Sequence, residues 1–361
     1  MSIKDRQVLS IDGNSFVSII INNYNYDRFI AEAIDSALSQ TYPQIEVIVV
    51  DDGSTDKSRE IIAGYGDRIF PILQQNGKQA AAFNRGFARS KGDIIIFLDS
   101  DDYLFPQAVE RIVSVWSPEL AKVHYRLAVV DTVGESLGYS SPQGTVPLSQ
   151  GEVWKNILDK GGYISTPTSG NALNRRTLEK LFPIPDAYKL TADDYLSYQV
   201  PFYGNVAAIE EPLGAYRIHD SNQWALSTVT AAKFQRFVRH DLQNFDLITQ
   251  KAKEFGYEYP SDLEQRSIGR LWSRIISFRL DPQAHPIAED RALNLIYSGI
   301  RSLWKYSDFN WKKRLFYSIW FIWVGLLPLP LSTPAIAWLY APQQRPRFID
   351  WTINTIRVLT K

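Results

Sequence analysis

The strongest constraint on the fold of this chain is an apolar run that ends in a cluster of acids. Residues 94–98 (IIIFL) are uniformly apolar, and residues 99–102 (DSDD) then bring three carboxylates within four positions. An apolar run without polar alternation indicates a strand buried on both faces, as in a parallel sheet. Acids so close repel one another unless a cation lies among them, and open α/β folds bind ligands at the carboxyl edge of the sheet. The run therefore predicts a divalent cation and a phosphate-bearing substrate at a sheet edge.

Strand and helix patterns alternate from Phe16 to about Trp116. The predicted strands are 16–21, 45–50, 68–73 and 93–98, and the predicted helices between them are 27–40, 55–65 and 79–90. Such alternation, with right-handed crossovers, predicts an α/β fold in which a mostly parallel sheet is sandwiched by helices.

The remainder of the chain is first mixed and then helical. The mixed part has predicted strands at 122–131, 171–174 and 206–218, helices at 152–158 and 193–201, and an open loop rich in Gly, Ser and Pro at 134–146. After Ser227 we predict helices at 231–255, 262–279 and 288–306. We therefore expect a domain at 1–225, with halves at 16–116 and 117–225, followed by a helical C-terminal region at 226–361.

The amino-acid composition excludes several classes of function and site. Lys and Arg balance Asp and Glu at 39 each in the 361 residues, so no bulk charge directs the chain to nucleic acid. The absence of cysteine excludes a disulfide framework, a thiolate metal site and a cysteine nucleophile. Residues 1–15 lack the apolar core of a signal peptide, so we expect a cytoplasmic protein.

Three polar loops are expected beside the acid cluster. Asn22, Tyr24 and Asn25 follow the first strand and suit stacking and edge-reading of a nucleobase, although a plain polar loop explains them equally well. The pair at 51–52 follows the second strand, where a capped strand–helix turn does not explain two adjacent buried acids. Lys78, before a helix of small residues, offers a cation to a phosphate; a solvated lysine in a turn is the alternative.

Taken together, these segments resemble the family 2 glycosyltransferases, which have the A-type nucleotide-sugar fold. The resemblance covers about residues 16–225. It rests on ordered blocks, namely VSIII (17–21), NYN (23–25), SQTYP (39–43), EVIVVDDGSTD (46–56), NRG (84–86) and GDIIIFLDSDD (92–102). In one departure, Phe83 precedes Asn84 where many members of the family carry an arginine.

The resemblance implies a nucleoside-diphosphate sugar as donor, with a UDP-sugar expected. Asp52 would read the base with Tyr24 beside the ring, and Asp101 would approach the ribose. The further expected donor contacts are Asn22, Asn25, Lys78 and Arg217.

The resemblance also implies a bound Mg²⁺ or Mn²⁺. Asp102 would hold it against the diphosphate, with Asp99 in support and His219, from the segment YRIH (216–219), beside it. Hard oxygen ligands suit these ions, and the cation neutralises charge on the leaving diphosphate.

The second half supplies a candidate catalytic base. Asp193 and Asp194 open a predicted helix and resemble the acidic pair of the family. Asp194 is at the position of the base that deprotonates the acceptor hydroxyl, and one base without a second nucleophile implies inversion. Acids that merely favour a helix N-terminus are the alternative.

The C-terminal region contains a long uncharged stretch at 315–340, which prolines at 328, 330 and 334 interrupt. A spanning helix needs about 20 apolar residues, and closely spaced prolines break helices. We therefore predict a shallow helical hairpin, peripheral at the inner face of the plasma membrane, with Trp320, Trp323, Trp338 and Tyr340 as headgroup anchors. A helical pair packed on protein is the alternative.

The expected function is an inverting, metal-dependent glycosyltransferase. Its acceptor is expected to be a glycan or a lipid-linked saccharide of cell-envelope polysaccharide biosynthesis, reached at a membrane surface. One alternative is a sugar-phosphate nucleotidyltransferase, which would carry a Gly-rich basic loop after the first strand. The other is a catalytically inactive sugar-binding or membrane scaffold of the same fold, in which the acids would be eroded.

Overall fold

A computed structural model describes residues 15–144, 146–220 and 229–340. The described residues form two compact units. The first comprises those up to Val153 together with Ile164–His219, and the second comprises Trp154–Tyr163 and those from Asp220 onward. Predictions for residues 1–14 lie outside the described residues, and the functional division predicted at residue 225 stays a prediction.

The first unit is built on a nine-stranded sheet. The strands are β1 (Val17–Asn23), β2 (Ile45–Asp51), β3 (Phe70–Leu73), β4 (Ile94–Asp99), β5 (Tyr103–Leu104), β6 (Leu120–Val130), β7 (Ser136–Ser141), β8 (Asn171–Asn174) and β9 (Asn205–Arg217). Their order is β3-β2-β1-β4-β8-β6-β9-β5, with β7 paired to β6. The first four strands in this order run parallel, β8 is antiparallel to both neighbours, and β9 is parallel to β6.

Helices of the first unit pack on the sheet through apolar faces. They are α1 (Ile30–Leu38), α2 (Ser58–Ala63), α3 (Lys78–Arg89), α4 (Ala108–Val115) and α6 (Arg175–Leu178). Helix α7 (Ala192–Gln199) contacts α3 instead, and α5 (Val153–Lys160) lies almost wholly in the second unit. On α1 the buried residues recur at helical spacing, as at Ile30, Ala33 and Ile34. Helix α3 approaches the sheet so closely that a Cβ on Gly86 would lie 2.3 Å from Cγ2 of Ile20.

The predicted α/β sheet sandwiched by helices is confirmed. Its parallel pairs lie among the first four strands and between β6 and β9. The open loop predicted at 134–146 is wrong, because it contains β7. The sequence of β7 (SLGYSS) is polar and mostly exposed, so pairing with β6 rather than burial defines this strand.

The second unit is helical, as predicted. Its helices after α5 are α8 (Ala231–Glu254), α9 (Ile268–Leu280), α10 (Ala292–Lys305), α11 (Trp311–Leu326) and α12 (Leu329–Tyr340). Trp320 is buried and donates from Nε1 to the carbonyl of Ala335 at 3.0 Å, which ties α11 to α12. Its predicted role as a headgroup anchor is therefore wrong. Within the described ranges, no helix is both long enough and apolar enough to cross a membrane.

A buried polar network joins α9 to the segment before α10. Asp290 accepts hydrogen bonds from Arg274 Nε at 2.9 Å and contacts His285 Nε2 at 3.0 Å, and His285 Nδ1 lies 2.9 Å from Ser277 Oγ. Burial raises the pKa of Asp290, but the hydrogen bonds from His285 and Arg274 outweigh it and leave this pKa below the ordinary value.

We expect Asp290→Asn to lower the free energy of unfolding at pH 7 by about 3–5 kcal/mol, because it breaks a buried ion pair. A carboxyl whose pKa is lowered by folding stabilises the protein above its unfolded pKa, and this contribution is lost as the pH falls through the folded pKa. The variant should therefore lose less stability than the wild type below about pH 4. Chemical denaturation at several pH values measures both effects, and equal acid slopes would contradict the assignment.

Candidate active site

The carboxyl ends of β1, β2 and β4 lie side by side. The register pairs Asn22 with Asp99 and Asn23 with Asp51. Asn22 Nδ2 donates to Asp99 Oδ1, and Asn23 Nδ2 donates to Asp51 Oδ1, each at 3.0 Å. Two amide–carboxylate pairs thus connect the three strand ends, so the polar residues predicted at this edge do meet there.

Asp51 and Asp52, the two adjacent acids at the end of β2, have different hydrogen-bond partners and stabilise different loops. Asp51 accepts a hydrogen bond from Arg59 Nε at 2.7 Å and another from the Ser54 amide at 3.1 Å. Burial raises the pKa of Asp51, but its hydrogen bonds with Ser54, Arg59 and Asn23 outweigh that effect and hold this pKa below the ordinary value. Asp51 therefore builds the strand–helix turn.

Asp52 fixes the loop that begins α3. Its carboxylate accepts from Gln74 Nε2 at 2.6 Å and from the amides of Gly77 and Lys78 at 2.8 Å each. These amides at the start of α3 are thus taken by Asp52 rather than presented to a phosphate. The Lys78 ammonium instead lies 5.7 Å from the ring centre of Tyr24, whose side chain is 44% exposed.

The acid cluster lies at the end of β4 against the end of β9. Asp102 is buried and accepts from Ser169 Oγ at 2.6 Å and from the Arg217 amide at 2.9 Å. Asp101 Oδ2 lies 3.0 Å from His219 Nε2. Burial, with repulsion from Asp101, raises the pKa of Asp99 to about 6, and the same causes raise that of Asp102 well above the ordinary value. The cluster is therefore short of positive charge.

A pocket of about 130 Å³ lies beside this cluster, on the side of α7. Asp194, Lys122 and Asn171 contribute polar groups to its wall, and Phe97 contributes an apolar one. Thr168 also lines the pocket and hydrogen-bonds the carboxylate of Asp99. Thr168 therefore lies between Asp194, the predicted base, and Asp99 of the acid cluster.

The comparison with known proteins decides the family. Residues 18–179 match the family model described as glycosyl transferase family 2. Residues 18–179 of this chain belong to glycosyltransferase family 2. Over 213 residues it is 40% identical to the uncharacterized glycosyltransferase alr2836 of Nostoc sp. PCC 7120, a match that covers 57% of this chain and 66% of that protein. The putative glycosyltransferase EpsH of Bacillus subtilis is 30% identical over 57% of this chain and 62% of its own length.

The match to these relatives is partial in length. It covers less than two thirds of each of these relatives, and 23% of an uncharacterized glycosyltransferase of Rickettsia felis. Crystal structures of S. aureus TarS 1–349 with UDP and with UDP-GlcNAc resemble this chain with TM-scores of 0.52 and 0.53, at 15% and 14% identity. Each covers 92% of this chain and 93% of TarS 1–349. At such identities the likeness shows the fold, and the predicted A-type glycosyltransferase fold is confirmed.

Arg217 joins several segments of this site through internal contacts. Its side chain is 2% exposed and pairs with Glu32 of α1. Nε donates to the carbonyl of Asp101 at 2.9 Å, and Nη1 donates to the carbonyls of Asp131 and Thr132 at 3.3 Å each. Because the guanidinium is committed to these internal acceptors, the structure does not support its predicted contact with a diphosphate.

Asn25 also ties loops together. Its amide donates to Ser54 Oγ at 2.9 Å, and its Oδ1 accepts from the Thr55 amide at 2.7 Å. Its φ of +60° is unusual for a residue other than glycine, and these contacts hold it there. Asn25 therefore fixes the loop after β1 to the loop after β2.

The predicted ligands Asp99, Asp102 and His219 do not form a ready metal cage. Within the described residues, no three His, Asp, Glu or Cys side chains are arranged to hold an ion. His219 contacts Asp101 rather than Asp102, because the Arg217 amide and Ser169 occupy the oxygens of Asp102.

Sequence reasoning missed several residues of the site. Tyr26 stacks edge-on against His219 with ring centres 5.4 Å apart, and the repeated NYNY pattern (23–26) was its available signal. Burial, then the charge of Asp101, raises the pKa of Tyr26. Thr168 and Ser169 lie between predicted elements with no motif, and Lys122 is hidden in a strand that is largely apolar.

Proposed function

We propose that this chain is an inverting, cation-dependent glycosyltransferase that moves a sugar from a nucleoside-diphosphate sugar to an acceptor hydroxyl. The observation that carries the proposal is the position of Thr168, which binds Asp99 at the donor edge and lines the pocket of Asp194. A donor at the sheet edge and an acceptor in the pocket would meet across this residue.

The nucleotide is proposed to bind over β1 and β2. Tyr24 is exposed and close to Lys78, so its ring offers a stacking surface for a base. Asn22 Oδ1 is buried without a hydrogen-bond partner among the described residues, which leaves an acceptor for a ligand. Asp52 keeps its proposed role in reading the base, through the lone pairs that its three donors leave free. We propose a UDP-sugar, by likeness to TarS, which was crystallised with UDP and UDP-GlcNAc.

The residues at the end of β4 fit a divalent cation shared with a diphosphate. Mg²⁺ is commonly held by one or two carboxylates together with substrate phosphates, so a three-ligand protein cage is not required. We propose that Asp101 and His219 hold Mg²⁺ or Mn²⁺, with Asp99 in support, because the Asp101 side chain is 13% exposed whereas Asp102 is only 2% exposed. This moves the metal role from Asp102 to Asp101. When bound, the cation would neutralise charge that develops on the leaving diphosphate.

Asp194 is proposed as the general base. It would take the proton of the acceptor hydroxyl as that oxygen attacks the anomeric carbon from the face opposite the diphosphate. Single displacement of this kind inverts the configuration at the anomeric carbon. The apolar wall formed by Phe97 and its stacked neighbour Phe83 would keep bulk water from competing as acceptor.

A screen of nucleotide sugars tests this function. We expect one donor to be hydrolysed or transferred only with Mg²⁺ or Mn²⁺, and NMR of the product should show inversion. Retention of configuration would contradict the proposal. Release of pyrophosphate from a nucleoside triphosphate and a sugar phosphate would favour the nucleotidyltransferase instead, and tight binding without turnover would favour the inactive scaffold.

An exposed apolar stripe on α11 supports peripheral membrane contact and a lipid-linked or glycan acceptor of cell-envelope polysaccharide synthesis. Trp311, Leu315, Ile319, Ile322 and Leu326 are 63%, 46%, 54%, 44% and 55% exposed and recur at helical spacing. Contiguous apolar surface of this kind marks interaction sites, and adjacent lysines (312–313) suit anionic headgroups. This would place the protein at the inner face of the plasma membrane.

The double variant Ile319→Ser/Ile322→Ser should reduce co-sedimentation with anionic liposomes by at least about tenfold, since each side chain loses apolar area that the lipid would bury. Val133→Ser/Leu137→Ser is the matched control, because both side chains are exposed but lie in the first unit. It should sediment like the wild type. Equal loss in both variants, or no binding by the wild type, would contradict membrane contact.

A further inference from the structure

Arg217 is a buried cation at the end of β9. Its side chain is 2% exposed, and its Cζ lies 4.8 Å from the ring centre of Phe29 and 5.6 Å from that of Tyr103. A charge removed from water requires a counter-charge and hydrogen-bond acceptors nearby. Glu32 supplies a counter-charge from the first turn of α1, and its own side chain is 50% exposed. The buried guanidinium is therefore paired with an acid that solvent still reaches.

Arg217 also binds both sides of the peptide bond between Asp101 and Asp102. Its Nε donates to the Asp101 carbonyl at 2.9 Å, and its backbone amide donates to Asp102 Oδ1 at 2.9 Å. One residue of β9 thus holds the carbonyl of this peptide and the side chain that follows it. The backbone between the two acids is restrained, and with it the direction in which the Asp101 side chain leaves the chain.

The Asp101 carboxylate is directed at a residue close to Arg217 in sequence. Asp101 Oδ2 lies 3.0 Å from His219 Nε2, and His219 is two residues after Arg217. Nη1 of Arg217 donates to the carbonyls of Asp131 and Thr132, which fixes the guanidinium to the turn after β6. The two proposed cation ligands are therefore both held by Arg217, Asp101 through its carbonyl and His219 through the chain.

We propose that Arg217 is a positioning residue for the cation and that Glu32 acts through it as its counter-charge. The inference rests on the proposed function, in which Asp101 and His219 hold the cation. Groups behind metal ligands orient those ligands, and their loss typically lowers metal affinity by about 10–100-fold. Glu32 thereby gains a role in donor binding without contact to the donor or to the cation.

The contacts of Arg217 require a guanidinium and not a positive charge alone. Nε, Nη1 and Nη2 donate to groups on three different segments, in the fixed fork geometry of this side chain. Lysine carries one nitrogen on a flexible stem and cannot bind these separated acceptors together. Arg217→Lys therefore keeps the charge and removes the positioning.

Calorimetric titration of UDP, and separately of GDP, into the full chain tests the inference. Each nucleotide is titrated with Mn²⁺ and with EDTA. In Arg217→Lys, binding with Mn²⁺ should weaken by about 10–100-fold, while binding with EDTA should stay within about twofold of the wild type. Glu32→Gln keeps a hydrogen-bond acceptor but loses the charge, so binding with Mn²⁺ should weaken by about three- to tenfold.

Arg126→Lys is the matched control. The Arg126 side chain is 5% exposed, pairs with Glu210, which is 51% exposed, and donates to the carbonyls of Pro142 and Val146 at 2.7 and 2.8 Å. Its burial and the types of its partners thus match those of Arg217, but these partners lie outside the acid cluster. Arg126→Lys should lower the Tm and leave Mn²⁺-dependent binding within about twofold of the wild type. Equal loss of binding in both lysine variants would overturn the proposal.

A double-mutant cycle tests whether Glu32 acts through Arg217. In the Arg217→Lys background, Glu32→Gln should change binding with Mn²⁺ by no more than about twofold, whereas independent losses would multiply and refute the relation. If Arg217→Lys does not fold, Glu32→Gln alone decides, and unchanged binding with Mn²⁺ would refute the inference.

The wild type separates this inference from the proposed function. If it binds neither nucleotide in a cation-dependent way, the proposed function is wrong and the inference falls with it. If it shows cation-dependent binding that Arg217→Lys retains, only the inference is wrong.

Discussion

Asp194→Ala should lose transfer activity while it keeps donor binding. Without a base, the acceptor hydroxyl must lose its proton to water, and general-base catalysis is typically worth about 10²–10⁴-fold in rate. Asp194 lies on the pocket wall and not at the sheet edge where the nucleotide is proposed to bind. We therefore expect kcat to fall by about this factor and the dissociation constant of the donor, measured by calorimetry, to stay within about threefold.

Asp193→Ala is the matched control for this experiment. Asp193 precedes Asp194 on α7 and lines the same pocket, so its replacement removes a similar charge and volume. We expect a smaller loss of kcat than in Asp194→Ala. Full turnover by Asp194→Ala, or a greater loss in Asp193→Ala, would refute the assignment of the base.

Asp101→Asn should abolish cation-dependent binding of the nucleotide. Asp101 lies 3.0 Å from His219 Nε2, and this pair is the proposed protein contribution to the cation. Loss of a charged ligand should weaken nucleotide binding in Mn²⁺ by about 100-fold or more, because outer partners of a metal site already cost 10–100-fold. Titration of nucleotide into the protein with Mn²⁺ and with EDTA measures the effect.

Asp102→Asn distinguishes the two possible assignments of the cation. Asp102 is engaged by Ser169 and by the Arg217 amide, so its replacement should change the cation-dependent affinity by about tenfold or less. If Asp102→Asn loses the cation effect and Asp101→Asn keeps it, the original assignment from the sequence is right and the one proposed from the geometry is wrong.

The fold could be predicted where the residue pattern itself determines burial. Strands β1, β2 and β4 contain runs of apolar residues enclosed on both faces, and their predicted bounds agree with the structure to within two residues. Strand β7 could not be predicted, because hydrogen bonding to its neighbour β6 defines it and its own residues are polar and exposed. Helix ends were also displaced, as at the predicted helix 262–279, where α9 begins at Ile268 after a short 3-10 turn.

The site was only partly predictable for a different physical reason. Sequence spacing brings carboxylates to one edge, but it does not say which of them the backbone amide of a distant strand will occupy. The Arg217 amide donates to Asp102, and His219 contacts Asp101. Which acid receives which partner depends on how β9 packs. Lys122 was missed because a single lysine in an apolar strand looks like a surface residue until the strand is placed inside the sheet.

The short segment at 168–169 has a consequence for how two substrates would be handled. Thr168 binds Asp99 while it lines the pocket, and Ser169 accepts from the Asp99 amide at 3.1 Å while it donates to Asp102. Tyr125 in turn donates to the Ser169 carbonyl at 2.7 Å, which fixes the segment to the core. Any rearrangement of the acids when the donor binds would be transmitted through this segment to the pocket that contains Asp194. The affinity for either substrate would then depend on occupancy of the other site.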